Sequence, residues 1–264
     1  MNFRLGRLTR HAGSMLGEVG LAMKHLLAVV VMTVLSGCGG SSCPPGPKGC
    51  GDIGGINIPP DLSSAPGEAA LVAYLQSGHQ RTLSATDTSG NSYALQVDSM
   101  PNAGTTTFNG SAPAYSTVDT ISLRKNGVFA TSSISTDYYF LNPYVPLGRT
   151  YGTGTPFALV TSSTPFPATL KVGSSGPVAN VTYYHDSTMS IVDADEVGTY
   201  VVKASNPVNL LMCLSFAVSS VTAQGTVDSL VAGTETDCYS VEAAGNAGLV
   251  SIALTVDGVT LNFK

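Results

Sequence analysis

The chain has 264 residues, of which 11% are charged and 7% aromatic, with no tryptophan, 29 glycines and a formal net charge of −5. A low-charge, turn-rich composition of this kind matches an exported β-rich domain better than a cytosolic enzyme. The mildly acidic balance, without a cluster of Lys and Arg, argues against nucleic acid or an acidic polymer as partner.

Residues 1–22 carry Arg4, Arg7, Arg10 and Glu18 and hold no sustained apolar run. Met23-Lys24-His25, followed by the aliphatic run from Leu26 to Leu35, has instead the shape of a compact signal peptide, which points to translation starting at Met23. The run is too short for a permanent span, which needs about 20 apolar residues. It ends on Leu35-Ser36-Gly37-Cys38, which resembles a bacterial lipobox: Leu at −3, small residues at −2 and −1, then the cysteine that is acylated and becomes the new N-terminus. The resemblance implies that residues 1–37 are a removed signal peptide and that acylated Cys38 binds a lipid bilayer. A single acyl chain binds marginally, at about 0.8 kcal/mol per buried CH₂, whereas two or three chains anchor stably. Gly39, not an aspartate, follows the cysteine, and among Gram-negative lipoproteins of this type that implies the outer membrane. Cys38 to Lys264 would leave 227 residues with eight basic and sixteen acidic side chains, a balance of −8.

Residues 38–67 read as a tether. Gly39-Gly40-Ser41-Ser42 is flexible, and the Pro-rich stretch from Cys43 to Cys50 is stiffer. An exported compartment favours a disulfide between Cys43 and Cys50 over a metal site, because two thiols without a neighbouring histidine make a poor zinc set. With Cys38 set aside, Cys43, Cys50, Cys213 and Cys238 allow three connectivities. The parsimonious one joins Cys43 to Cys50 and Cys213 to Cys238.

From residue 68 the chain reads as one β-rich domain reaching 264, introduced by a short helix. Ser63, Ser64 and Pro66 supply start signals, Glu68 sits in the first turn, and Leu71, Tyr74 and Leu75 form an apolar stripe before Gly78. So short a helix is expected to plug one end of a β core. Leu83, Ala85, Tyr93, Leu95 and Val97 share one parity on two runs separated by Asp87–Asn91, a hairpin pattern. Ile121, Leu123, Val128 and Ala130 flank Arg124-Lys125-Asn126-Gly127; hydrophobic matching favours a four-residue loop over a tight Asn-Gly turn pairing Phe129 with Arg124. Around Asp257-Gly258 a two-residue turn pairs Val256 with Val259, Leu254 with Leu261 and Ile252 with Phe263. Leu210, Met212, Leu214, Phe216 and Val218 alternate with Leu211, Cys213 and Ala217, so both faces of that strand are apolar and covered. The expected fold is mainly β, an antiparallel sandwich or an open half-barrel with one short N-terminal helix.

Aromatic residues concentrate in the middle of the chain: Tyr138, Tyr139, Phe140, Tyr144 and Tyr151, then Tyr183 and Tyr184. On alternating strands such residues are core or edge-covering groups. The sharper reading takes Tyr138, Tyr139, Tyr144, Tyr151, Tyr183 and Tyr184 as a face for a glycan or peptide. Prolines 143, 146, 156, 165 and 167 lie in the same region and place a candidate divide between two β subdomains near 150–166.

Asn142-Pro143-Tyr144-Val145-Pro146-Leu147-Gly148, the stretch from Pro167 to Gly173, Tyr184-His185-Asp186-Ser187-Thr188 and the segment from Tyr239 to Gly245 resemble a group of uncharacterised β-rich proteobacterial lipoproteins. The resemblance implies an exported β-rich lipoprotein and carries no catalytic residue to this chain.

No Gly-x-Ser-x-Gly elbow, His-Glu-x-x-His, P-loop or strand–Gly-x-Gly-x-x-Gly–helix signature occurs. Ser122-Leu123-Arg124-Lys125 has a Ser-x-x-Lys spacing without its companion motifs, and reads as chance. His185-Asp186 could seed a hydrolase site only with one of many serines. Asp193, Asp195 and Glu196 lack the glycine and spacing of a calcium loop, so no metal or other cofactor is expected.

The sequence therefore points to a lipid-anchored envelope protein without enzymatic activity. It acts as a structural module or binds an envelope protein or glycan. The alternative is a carrier holding a lipid or other hydrophobe in a β half-barrel, to which the doubly apolar strand at 210–218 points. Replacing Cys38 with Ser is expected to move the protein from the membrane fraction to the soluble fraction; unchanged sedimentation with membranes would rule out the acyl anchor.

Overall fold

Turn chemistry and side-chain alternation set the frame of the structure. The computed structural model describes residues 62–264, so the signal segment, Cys38 and the Cys43 and Cys50 pair lie outside the described residues. The chain begins with β1 (Ser64–Pro66), α1 (Glu68–Gln76), β2 (His79–Thr86) and β3 (Ser92–Pro101), then β4 (Tyr115–Lys125), β5 (Val128–Leu141), β6 (Tyr144–Tyr151) and β7 (Phe157–Ser163). It continues through β8 (Thr169–Lys171), β9 (Ser175–Tyr184), β10 (Val192–Asn206), β11 (Asn209–Ser219) and α2 (Ala223–Val227). The last three strands are β12 (Gly233–Glu242), β13 (Ala247–Val256) and β14 (Val259–Phe263).

Two hairpins form as the alternation predicts. Val256 pairs with Val259, Leu254 with Leu261 and Ile252 with Phe263, around Asp257 and Gly258 at φ +51° and +78°, the signs a primed two-residue turn requires. In the first hairpin Leu83 pairs with Leu95 and Ala85 with Tyr93. Asp87 holds its loop by accepting from the backbone N–H groups of Ser89 and Asn91.

The β4–β5 hairpin departs from the expected register. Lys125 pairs with Val128 and Arg124 with Phe129, so the turn is the tight one at Asn126-Gly127. Asn126 at φ +51° and Gly127 at φ +79° adopt the same primed geometry as Asp257-Gly258. Val128 and Phe129 remain 71% and 55% exposed, so there was no burial for a hydrophobic match to gain. A bulge between Leu123 and Arg124 then restores the inward register, with Leu123 opposite Thr131.

The helix start is also corrected. Ser64–Pro66 form β1 against β8, with Ala65 opposite Leu170, and α1 begins only after Gly67. Neither serine caps it. Its first turn is held by Gly67 and Glu68 N–H groups donating to the carbonyls of Ala168 and Pro167 at 2.9 Å, while Glu68 Oε1 accepts from the Tyr144 N–H.

Twelve strands make one antiparallel sheet in the order β14-β13-β12-β11-β10-β9-β7-β6-β5-β4-β3-β2. Its two edge strands meet: Ser84 N–H donates to the Lys264 carbonyl at 2.9 Å and Lys264 N–H donates back at 3.0 Å. A single sheet thus curls into a nearly closed barrel, not into the two layers of a sandwich. Residues 150–166 include the end of β6 and all of β7, which are neighbours in this sheet.

Inside, α1 with β1 and β8 plugs one rim, where Ala70, Leu71, Phe166 and Leu170 pack on Leu210 and Met212. Toward the opposite rim Leu83, Tyr93, Leu95, Leu123, Leu254 and Leu261 form a second cluster, and Ala158, Tyr183, Ala194, Val218 and Leu230 a third. Outward positions such as Gln80, Thr82, Gln96, Asp98, Thr120, Ser122, Thr199 and Lys203 are polar.

The doubly apolar strand is β11. Leu210, Met212, Leu214 and Phe216 face inward, and on the other face Cys213 is bonded to its cross-strand neighbour Cys238. The cross-link closes 25 residues, which is worth about 3 kcal/mol on the chain-entropy model. The Cys213→Ala/Cys238→Ala protein is expected to keep its β circular-dichroism spectrum and lose about that much stability to urea; an unchanged midpoint would show that strand pairing alone sets the barrel's stability.

Candidate functional site

Between its rims the barrel holds a cavity of about 240 Å³. Alternation decides what lines it. Asp119 on β4, Asp137 on β5, Arg149 on β6, Glu196 on β10 and the pair Glu235 and Asp237 on β12 all occupy inward positions. Leu71, Tyr74 and Leu75 of α1 supply an apolar side, and Val160, Val181, Leu214 and Phe216 another. Five acidic side chains therefore share the lining with one guanidinium.

Arg149 engages Asp137 through both branches, Nε to Oδ1 at 2.6 Å and Nη2 to Oδ2 at 3.1 Å. It is surrounded by protein, yet 40% of its side-chain surface stays free, as expected of a group that borders an internal cavity. Asp119 accepts from Ser99 Oγ. Burial, then the neighbouring Asp137 carboxylate, pushes the Asp119 pKa up to about 7. Burial also raises Glu196, although Arg149 and the Tyr183 hydroxyl, which donates to Glu196 Oε2 at 2.7 Å, oppose it. Asp237 rises well above the usual carboxylate range, through burial first and then the charge of Glu235 two residues away on the same face. Its Oδ1 has no hydrogen-bond partner.

His79, at the start of β2, donates from Nδ1 to the Ser77 carbonyl, and burial lowers its pKa. The neutral ring then offers Nε2 as an acceptor, and this atom is also without a partner. The ring lies 3.9 Å from that of Tyr74, which meets Tyr239 edge-on at 5.0 Å.

The six tyrosines of the expected binding face divide. Tyr138, Tyr139, Tyr144, Tyr151 and Tyr183 line the cavity, with Tyr139 OH 2.7 Å from Thr117 Oγ1. Tyr138, beside the bulge that separates it from Tyr139, also stacks on Phe108 at 4.5 Å, and Phe108 on Phe157 at 5.3 Å. Gly148 makes this possible: at φ +155° a Cβ there would stand 2.6 Å from the Phe108 ring. Tyr184 pairs with Phe157 across β9 and β7, on the parity opposite to Tyr183.

A second polar cluster lies at the rim opposite α1. His185, just after β9, Asp193 on β10 and Asp228 at the end of α2 bring one ligand atom each to within 4.8 Å of one another. His185 therefore meets Asp228, with Nδ1 to Oδ2 at 2.6 Å, while Asp186 accepts from the backbone and hydroxyl of Thr188. Asp193, Asp195 and Glu196 do not converge, because alternation sends Glu196 to the cavity and Asp195 to Thr182 Oγ1.

Sequence reasoning missed Asp119, Asp137, Arg149, Glu235 and Asp237. The available signal was parity: Asp119 lies in step with Ile121 and Leu123, a charged residue on the buried face of a strand. No family model, curated protein or solved structure matches the chain.

The raised Asp119 pKa has a consequence for stability. The folded state holds this proton more tightly than the unfolded chain, so its contribution falls as pH climbs from about 4 to about 7 and is level above that. Asp119→Asn is expected to stabilise the protein at pH 8 by on the order of 2–4 kcal/mol and to have little effect at pH 4. Thermal melts across that range check it, and an equal effect at both ends would place an ordinary, solvated carboxylate at 119.

Proposed function

We propose that the protein is a binding or carrier module that holds a small amine with an apolar body in its barrel, at the envelope surface to which Cys38 would anchor it. The observation that supports this reading is the imbalance of the lining. Five carboxyl groups face one guanidinium, and two acceptors, Asp237 Oδ1 and His79 Nε2, have no donor. Such a lining asks its occupant for hydrogen-bond donors and positive charge. The tyrosine faces and the apolar side of α1 suit the rest of the molecule, since aromatic rings attract cations as well as apolar groups. The cavity of about 240 Å³ lies below the ~300–1,000 Å³ of pockets for drug-sized ligands, which favours a small molecule over a whole lipid. An exposed interaction face has less support, because five of its six tyrosines line the cavity.

Three probes of similar size separate charge from shape: 2-phenylethylammonium, 2-phenylethanol and phenylacetate. Calorimetric titration is expected to rank the amine at least about tenfold, or 1.4 kcal/mol, above the alcohol, with the acid weakest. Asp237→Asn is expected to remove most of the amine's advantage and leave the alcohol unchanged. Equal binding of amine and alcohol would sink the charge argument and leave an apolar carrier. No binding by any probe, with a bare mass for the protein exported in its own host, would sink the carrier.

A further inference from the structure

We propose that His185, Asp193 and Asp228 form a binding site for a divalent first-row transition ion at the barrel rim opposite α1. Two neighbouring stretches of chain and a third more than thirty residues on build it. The β9–β10 connection brings His185, the second residue of β10 brings Asp193, and the end of α2 brings Asp228. The placement is rigid. Thr222 N–H donates to the Asp193 carbonyl at 2.8 Å, Thr222 Oγ1 donates to the Val192 carbonyl, and Thr222 also caps α2 by accepting from Gly225 N–H. Gly225 lets the helix lie directly on this strand, since a Cβ there would stand 2.3 Å from the Asp193 carbonyl oxygen.

The observation that asks for a ligand is Asp193 itself. Its exposure is 0%, and neither carboxylate oxygen has a hydrogen-bond partner. A carboxylate buried in this way is costly unless it is paired or coordinated. Its facing groups do not resolve the cost. Asp228 Oδ2 is already taken by His185 Nδ1 at 2.6 Å and by Gln224 Nε2 at 3.1 Å, and Asp228 adds a second negative charge. One proton shared between the two carboxyl groups satisfies one oxygen and leaves another of Asp193 unmatched. A divalent cation balances both carboxylates and accepts the imidazole nitrogen as third ligand. Gln224, already on Asp228, then orients that ligand from outside the coordination sphere.

The donor set selects the ion. Calcium and magnesium prefer oxygen alone, whereas an imidazole with two carboxylates suits zinc and its first-row neighbours. Three protein ligands leave a coordination position for water or a small anion. This site is separate from the cavity: none of its three residues lines the barrel lumen.

The test uses the full chain stripped with EDTA and titrated with ZnCl₂, with CaCl₂ as comparison. Calorimetry is expected to give one zinc per chain, at least tenfold tighter than calcium, with a rise in melting temperature. Asp193→Asn is expected to weaken zinc at least tenfold while the metal-free variant melts no lower than the parent, because the substitution removes an unpaired buried charge. His185→Gln, at the more exposed edge, is expected to weaken zinc similarly and serves if the Asp193 variant fails to fold. Asp186→Asn, adjacent to His185 but turned to Thr188, is expected to bind as the parent does. No saturable zinc binding, parent-like affinity in both the Asp193 and His185 variants, or calcium binding as tightly as zinc would overturn the site.

Discussion

The structure depends on the closure of one sheet on itself. Once Ser84 and Lys264 exchange their backbone hydrogen bonds, a strand has no second sheet to cover it, and inward side chains from all twelve strands share one interior. Alternation with period two then becomes a global constraint, because a one-residue slip in any strand exchanges its contributions to inside and outside. The bulge beside Arg124 shows the constraint at work. The turn at Asn126-Gly127 dictates one register at the hairpin tip, and the bulge returns Leu123 and the strand beyond it to the inward face. The barrel is also wider than its aliphatic side chains can fill. Helix α1, with the small β1–β8 sheet, closes one end, and the clusters around Leu123 and Leu230 occupy the other.

What remains in the middle is polar by composition, and that is expensive. A carboxylate surrounded by protein loses hydration, and several in one enclosure repel one another, so the pKa values of Asp119, Glu196, Glu235 and Asp237 are raised. The bidentate Arg149–Asp137 pair offsets one charge of five. Residues of similar volume without charge would make a more stable interior. An interior that keeps Asp119, Glu196, Glu235 and Asp237 is costlier than an apolar one, and the cation proposed as occupant is a partner that their shared chemistry fits. Asp193 poses the same problem at the rim in miniature, with a fully buried carboxylate and no donor.

Much of the local structure was legible in the chain. Asp257-Gly258 and the flanking Val, Leu and Ile residues specify both the turn and its register, because turn geometry and burial agree there. At Asn126-Gly127 they disagree, and reading the aliphatic match as decisive failed because Val128 and Phe129 stay exposed. The pairing of Cys213 with Cys238 was one of three open connectivities until the strands carrying them were seen to be neighbours. The start of α1 was misread because Ser64 and Pro66, which look like cap signals locally, are used as a strand against β8, a segment about a hundred residues away.

By itself the sequence determined the β2–β3 and β13–β14 hairpins and the apolar parity of their strands and of β11, since these rest on neighbours within a few residues. Tertiary structure alone decided that one sheet would close into a barrel, and so which tyrosines face an interior and which the outside. It alone brought Asp119, Glu196 and Asp237 around one cavity, and His185, Asp193 and Asp228 to one rim. The physical reason is that a site made by convergence has no local signature. Each of these residues has its decisive partners outside its own strand or turn, and becomes costly or useful only when the fold sets those partners beside it.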